Sequence, residues 1–236
     1  MQFPDPLVRG TLIKRYKRFM ADVRLEDGTA VTAHCPNSGS MLSVKEDGAE
    51  VWLSPARNPD RKLRWTWELI RVGESLVGVN TGHPNTLVAE AVADGTITEL
   101  AGYASQRREV KYGKNSRIDL LLEDPDRPAC YVEVKNVTMR RDLAAGPVEF
   151  PDGVTARGTK HLAELSDMVA QGHRAVMAYL VQREDWQHGF TLADDIDPDY
   201  AAALDKARAA GVEVVCYACR LTPRDIVVRD PVPLAL

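Results

Sequence analysis

The chain has 236 residues, 30 of them Lys or Arg and 34 Asp or Glu, for a net charge of −4 at neutral pH. With 44% hydrophobic and 27% charged residues it can bury a core of its own, and no apolar run approaches the roughly 20 residues that span a bilayer. The balance excludes a uniformly basic nucleic-acid coat protein, and the opening Met-Gln-Phe-Pro-Asp-Pro lacks a secretory signal's basic and apolar regions, so a cytoplasmic location is expected.

The first eighty residues read as one short strand after another. Gly10–Tyr16, Phe19–Leu25 and Ala30–His34 come first, with Asp27-Gly28 as a hairpin signal. Glu50–Ser54, Arg64–Ile70 and Leu76–Val79 follow. Short strands separated by Gly and Asn turns predict a small closed barrel, most simply an OB-fold, over residues 1–80.

The pattern changes at residue 81. Asn85 is placed to cap a helix through Ala93 that Gly95 ends. Three extended runs follow, Arg108–Tyr112, Arg117–Leu122 and Cys130–Lys135. A helix is expected over Lys160–Ala170 with Thr159 as its cap, then a strand at Ala175–Val181, a helix at Asp199–Ala210 and a strand at Val212–Ala218. This order predicts an α/β domain over residues 81–236, with a mixed central sheet flanked by helices. Cys216 and Cys219 lie within the last strand, and no second C-x-x-C accompanies them, so they read as core residues and not as zinc or redox ligands.

Chemistry concentrates at one turn. Asp124-Pro125-Asp126-Arg127-Pro128 joins two of the extended runs, and a hairpin centred on Asp126 sets Asp119 opposite Glu133. Lys135 shares a face with Glu133, while Ile118, Leu120, Val132 and Val134 are expected on the other. Opposed carboxylates repel unless a cation lies between them, and Mg²⁺ or Mn²⁺ with oxygen ligands fills that role. A lysine beside them can stabilise charge on a scissile phosphate. Glu90 borders the apolar stripe of its helix and is the candidate third carboxylate, giving Glu90, Asp119 and Glu133 as metal ligands and Lys135 as their catalytic partner. Arg157 and Lys160 flank the next helix start, where free N–H groups favour an anion, and His161 is either a proton-transfer group or an ordinary surface residue.

Charge is distributed unevenly. Residues 9–24 hold six Lys or Arg against one acid, residues 105–117 five against one, and residues 184–199 six acids and no Lys or Arg. Arg15, Lys17, Arg18, Arg61 and Lys62 are therefore candidate DNA contacts, together with Arg157 and Lys160. Tyr16, Phe19 and Trp65, interleaved with them, either stack on bases or pack inside the barrel.

Several stretches resemble the sugar fermentation stimulation protein A family. They are Leu12–Phe19, Thr32–Met41, Asn58–Leu63, Gly78–Thr81, Ser116–Asp119, Tyr131–Thr138, Phe150–Asp152, Arg157–His161 and Ile196–Pro198, which together span nearly the whole chain. The resemblance implies an N-terminal OB-fold, a PD-(D/E)xK nuclease-like second domain, DNA binding without sequence specificity, and a regulatory role in sugar, notably maltose, metabolism. It places the nuclease pattern on Asp119, Glu133 and Lys135, with Glu90 on the helix. Ile118 stands where the motif has proline, and Ser38 and Gly153 stand where Thr and Ala are expected. Two functions stay open: a Mg²⁺-dependent deoxyribonuclease, and a DNA-binding regulator without catalysis. No P-loop or dinucleotide-binding glycine pattern supports a nucleotide-metabolising enzyme.

Overall fold

A computed structural model describes residues 1–58, 60–113 and 115–236. Pro59, within the Asn58–Leu63 stretch, and Lys114, within the basic run 105–117, lie outside the described residues.

The N-terminal strands are β1 (Val8–Tyr16), β2 (Met20–Leu25), β3 (Ala30–His34), β4 (Glu50–Pro55), β5 (Trp65–Val72) and β6 (Ser75–Gly78). They run β3-β2-β1-β4-β5-β6, and β3 pairs with β5 through Ala33–Trp65 and His34–Thr66. That pairing closes a five-stranded, OB-like barrel, as the sequence predicted. Gly28, at φ +86°, takes the tight turn between β2 and β3. Alternation along the strands turns Leu12, Val23, Val51 and Trp67 inward. Trp67 is fully buried and its indole N–H donates to the Leu69 carbonyl at 2.9 Å, so truncation to Ala would cost about 3–5 kcal/mol.

The second domain contains α1 (Pro84–Ala93), β7 (Ser105–Tyr112), β8 (Ser116–Asp124), β9 (Arg127–Val137), β10 (Val148–Phe150), α2 (Ala156–Ala170), β11 (Arg174–Val181), β12 (Phe190–Leu192), α3 (Pro198–Ala209), β13 (Glu213–Leu221), β14 (Ile226–Pro231) and β15 (Leu234–Ala235). Its main sheet runs β14-β13-β11-β9-β8-β7. β9, β11 and β13 are parallel, joined by crossovers through α2 and α3, and the other neighbours are antiparallel. α1 covers one face over Leu120, Val132 and Leu180. α2 and α3 cover the other over Leu121, Met177 and Tyr179. β14, and the small parallel sheet of β10, β12 and β15, were not anticipated.

Three local expectations need correction. His83, not Asn85, is the residue before α1, because Pro84 sits at its first position, where a missing N–H costs nothing. α2 begins one turn earlier than predicted: Thr155 caps it, its hydroxyl accepting from the Gly158 N–H at 3.1 Å, and Thr159 lies inside the helix. Ile118 does not share a face with Leu120 and packs on the α2 side. Beside it Glu109 adopts φ +54°, and the paired residues step from Arg108–Leu120 to Val110–Ile118 across Glu109 and Asp119, where the strand alternation breaks.

The two domains share structure at their seam. The Gly78 N–H donates to the Gln182 carbonyl at 2.8 Å, and Val77 bridges to Arg183. Trp52, Leu69 and Leu76 of the barrel belong to the core beneath α1. Glu68, buried on β5, accepts from the Ser54 hydroxyl (2.6 Å) and the Asn80 amide (2.8 Å) and lies 2.7 Å from His83 Nε2. The β13 thiols Cys216 and Cys219 are buried and unpaired, and burial pushes both well above the ordinary thiol range, as core residues require.

Candidate active site

The β8–β9 hairpin pairs Leu120 with Val132 and Leu122 with Cys130, and Asp119 and Glu133 are the next residues in that register, just beyond the last pair. Main-chain pairing stops at Leu120, and Asp119 takes over. Its Oδ2 accepts the Val134 N–H at 2.7 Å, and its Oδ1 accepts the Asn85 amide at 2.7 Å. The aspartate therefore wedges the strands apart while the start of α1 holds it from the other side. Asn85, predicted as a cap, instead donates to Asp119 and ties α1 to the site.

Glu133, 3% exposed, points toward α2. Its Oε1 is 2.7 Å from Lys135 Nζ and in contact with His161 Nδ1. Arg157 Nε approaches His161 Nε2 at 3.3 Å; since a guanidinium only donates, Nε2 accepts and Nδ1 carries the proton toward Glu133. His161 is thus a buried group of the site and not a surface residue. Lys135 lies 3.4 Å from the same imidazole and keeps its ammonium partly open to solvent.

Glu133 Oε2 is buried without a hydrogen-bond partner, as are both carboxylate oxygens of Glu164 and the Tyr112 hydroxyl, among the described residues. The carboxylates are electrically coupled. Burial, then the charge of Glu133, raises Asp119 to about 6. Burial would also raise Glu133, but His161 and Lys135 outweigh it and hold that carboxyl below its usual range. Two neighbouring acids forced apart in this way are candidates for chemistry or for holding a cation.

The residues fit a divalent ion in part. The orphaned Glu133 Oε2 and the uncompensated charge on Asp119 are what such an ion would relieve. Among the described residues no cluster of three or more His, Cys, Asp or Glu is arranged to hold a metal, so a bound ion would complete its shell with water, as Mg²⁺ does. Glu90 is not a third ligand. Its side chain is half exposed, and its carboxylate pairs with the N-terminal ammonium of Met1 at 2.7 Å, beside β14. Five residues past Asn85 on a helix of 3.6 residues per turn, it faces away from Asp119.

The predicted DNA contacts divide by their partners. Arg15 is half-buried and donates to the carbonyls of Arg18, Asn37 and Gly39 at 2.9–3.0 Å, so it ties loops together. Lys17 and Arg18 are exposed at the β1–β2 tip, both with positive φ, beside an exposed Phe19. Tyr16 is half-buried and its hydroxyl donates to Asp22 at 3.0 Å. Arg61 donates to the Thr66 hydroxyl at 2.8 Å, and Lys62 is exposed. Arg157 and Lys160 are exposed on the first turns of α2, and Lys160 reaches Ser116 at 3.2 Å.

An OB-like barrel joined to an α/β domain with a mixed sheet, with acidic and basic groups gathered where the hairpin splays, defines a two-domain protein. Family profiles describe both parts: "SfsA N-terminal OB domain" matches residues 13–79 and "Sugar fermentation stimulation protein RE domain" matches residues 82–225. The chain belongs to the sugar fermentation stimulation protein family. It is 64% identical to the homolog from Rhodospirillum rubrum over 99% of both chains, and 64% identical to that from Paramagnetospirillum magneticum over 100% of this chain and 98% of the relative. Among solved structures, Pyrococcus furiosus SfsA in complex with Ca²⁺ superposes with a TM-score of 0.86 at 22% identity, covering 100% of this chain and 98% of that one.

Proposed function

We propose that the protein binds DNA without sequence specificity and hydrolyses its phosphodiesters with Mg²⁺ or Mn²⁺ at Asp119, Glu133 and Lys135. The observation that carries the reading is the buried, unpartnered Glu133 Oε2 next to an Asp119 raised to about 6. The open oxygen lies beside a second carboxylate, where a divalent ion would satisfy it. The Ca²⁺ complex of the Pyrococcus furiosus relative supports a divalent ion in this family.

Asp119 and Glu133 would hold the ion, which when bound supplies a Lewis acid and lowers the pKa of a coordinated water. The chain's own groups do the rest. Asn85 and the Val134 N–H fix the Asp119 carboxylate. His161, oriented by Arg157, fixes Glu133 and keeps its second oxygen free. Lys135 stabilises the negative charge that builds on the phosphate as water adds and the ester oxygen leaves. Exposed Lys17, Arg18, Lys62, Arg157 and Lys160 neutralise the flanking backbone. Incubation with linear DNA and Mg²⁺ or Mn²⁺ should give cleavage that Asp119→Ala abolishes. Cleavage by that variant at the wild-type rate would sink the assignment.

A second reading, DNA binding without cleavage in the regulation of sugar metabolism, is favoured by one observation: Lys135 and His161 both crowd onto Glu133 Oε1, which neutralises that carboxylate without a metal. It predicts salt-sensitive binding and no cleavage product with either ion.

A further inference from the structure

A cleft of about 370 Å³ lies at the seam between the barrel and the second domain, within the range of about 300–1,000 Å³ that ligand sites occupy. Asn37 and Gly39 line it from the loop after β3, and Lys135, Asn136, Thr138 and Phe150 line it from the second domain. Lys135 therefore borders both the cleft and the candidate active site.

The chemistry of the walls is unlike that of a phosphate channel. Lys135 is their one cation. Two acids also line the cleft: Glu149, paired with the Arg141 guanidinium, and Asp152, whose Oδ2 accepts from the Met41 N–H and the Ser40 hydroxyl and which keeps its charge. The other polar groups on the walls are neutral amides and hydroxyls. The Asn37 amide oxygen accepts from the Gly39 N–H at 2.8 Å, which leaves its NH₂ group to donate. The Asn136 amide oxygen accepts from Gln182 Nε2 at 2.8 Å, so its NH₂ is likewise left. The Gln182 NH₂ also faces the Asn80 carbonyl, which fixes the direction of that amide pair. Neither Asn NH₂ has a protein partner among the described residues. Phe150 is half-buried, packed on Tyr179 and Tyr200 at centroid distances of 5.5 and 5.2 Å, and lines the cleft as a braced ring.

A braced aromatic ring with amide donors beside it is the chemistry that receives a base taken out of a stack. We infer that this cleft takes an unpaired nucleobase, edge carbonyls toward Asn37 and Asn136 and face toward Phe150, next to the phosphate at Lys135. The inference rests on the proposed function and narrows it: the substrate is DNA that is single-stranded or locally unpaired beside the scissile bond. A base held in a duplex cannot enter a cleft of this size without being flipped.

The test is fluorescence anisotropy in EDTA with the full chain and three probes: a paired duplex, the same duplex with one unpaired thymine, and that duplex with an abasic site in place of the thymine. The unpaired thymine should strengthen binding by about tenfold or more over the paired duplex, and the abasic probe should lose that gain. Asn136→Asp and Asn37→Asp keep the acceptors that Gln182 and Gly39 use but remove the NH₂ donors, so the ratio of affinities should fall toward one in each. Because the ratio is read within each variant, a general loss of affinity does not affect it. Equal binding of all three probes by the wild-type protein would overturn the inference, as would an unchanged ratio in both variants. Cleavage that depends on Asp119, together with equal binding of the probes, would leave the proposed function standing and remove only the cleft's role. No binding of any probe would remove both.

Discussion

Among the described residues two glutamates, each buried, pair with a histidine, and the pairs differ in one atom. Glu68 and His83 join the barrel to α1, and Ser54, Asn80 and His83 between them satisfy both Glu68 oxygens. Glu133 and His161 lie where the β8–β9 hairpin splays, and Glu133 Oε2 has no partner. A buried carboxylate left half satisfied costs stability, so a fold retains one where the open oxygen serves something else. The closed pair holds a joint; the open pair is the one on which the proposed site rests.

The largest effect expected from breaking this contrast is on chemistry. Glu133→Gln should lower the cleavage rate by about 100- to 1,000-fold while DNA affinity in EDTA stays within about threefold, measured by gel assay and anisotropy. Glu68→Ala should act on stability instead. Removing one partner of a closed buried cluster costs about 3–5 kcal/mol, read as a lower denaturation midpoint in urea. Cleavage per folded molecule should fall far less than in Glu133→Gln.

The joint should also be acid-sensitive. Burial alone would raise the Glu68 carboxyl, but His83, Ser54 and Asn80 outweigh it and hold it below the usual range. A depressed folded-state pKa gives stability that is complete above the unfolded value of about 4.3 and lost as pH falls through the folded one. Melting temperature should therefore drop below about pH 4 in the wild type and change less in Glu68→Gln. A parallel drop in both would assign the acid sensitivity to other carboxylates.

Smaller still is the effect of the exposed tip. Lys17→Glu with Arg18→Glu should weaken binding to every DNA form alike, and the slope of log K against log salt should fall by about one per cation lost. The smallest is Glu90→Ala, which removes a half-exposed contact to the N-terminus. It should cost no more than about 1 kcal/mol and leave Mn²⁺ affinity by calorimetry unchanged.

Much of this was legible in the sequence because it is periodic. The barrel strands alternate, and the Asp124–Pro128 turn gives the hairpin register through Leu120 and Val132, so Asp119 and Glu133 could be read as neighbours, but not the turn of Asp119 toward Asn85 of α1. What was misread depends on contacts across elements. Glu90 met the apolar-stripe criterion for its helix, but nothing local said that Met1 would return to it. His161 carried a usable signal: with Leu165 and Met168 it follows the buried stripe of α2, at offsets of four and three, which turns it toward the sheet. Predicting the helix from Lys160 instead of Ala156 put His161 at its first turn, where a surface position is the ordinary reading. Asn85 was seen as a cap because its other role needs β8 to lie beneath it. β10, β12 and β15 are three residues or fewer and leave no period to read.

The seam between the domains limits their modularity. Trp52, Leu69 and Leu76 of the barrel complete the core under α1, and β6 docks on the backbone of Gln182. A fragment cut near residue 80 would expose those side chains on one half and strip the cover from α1 on the other. Either half expressed alone should aggregate, and a chimera with a foreign barrel would need its own set of matching apolar residues at the same three places.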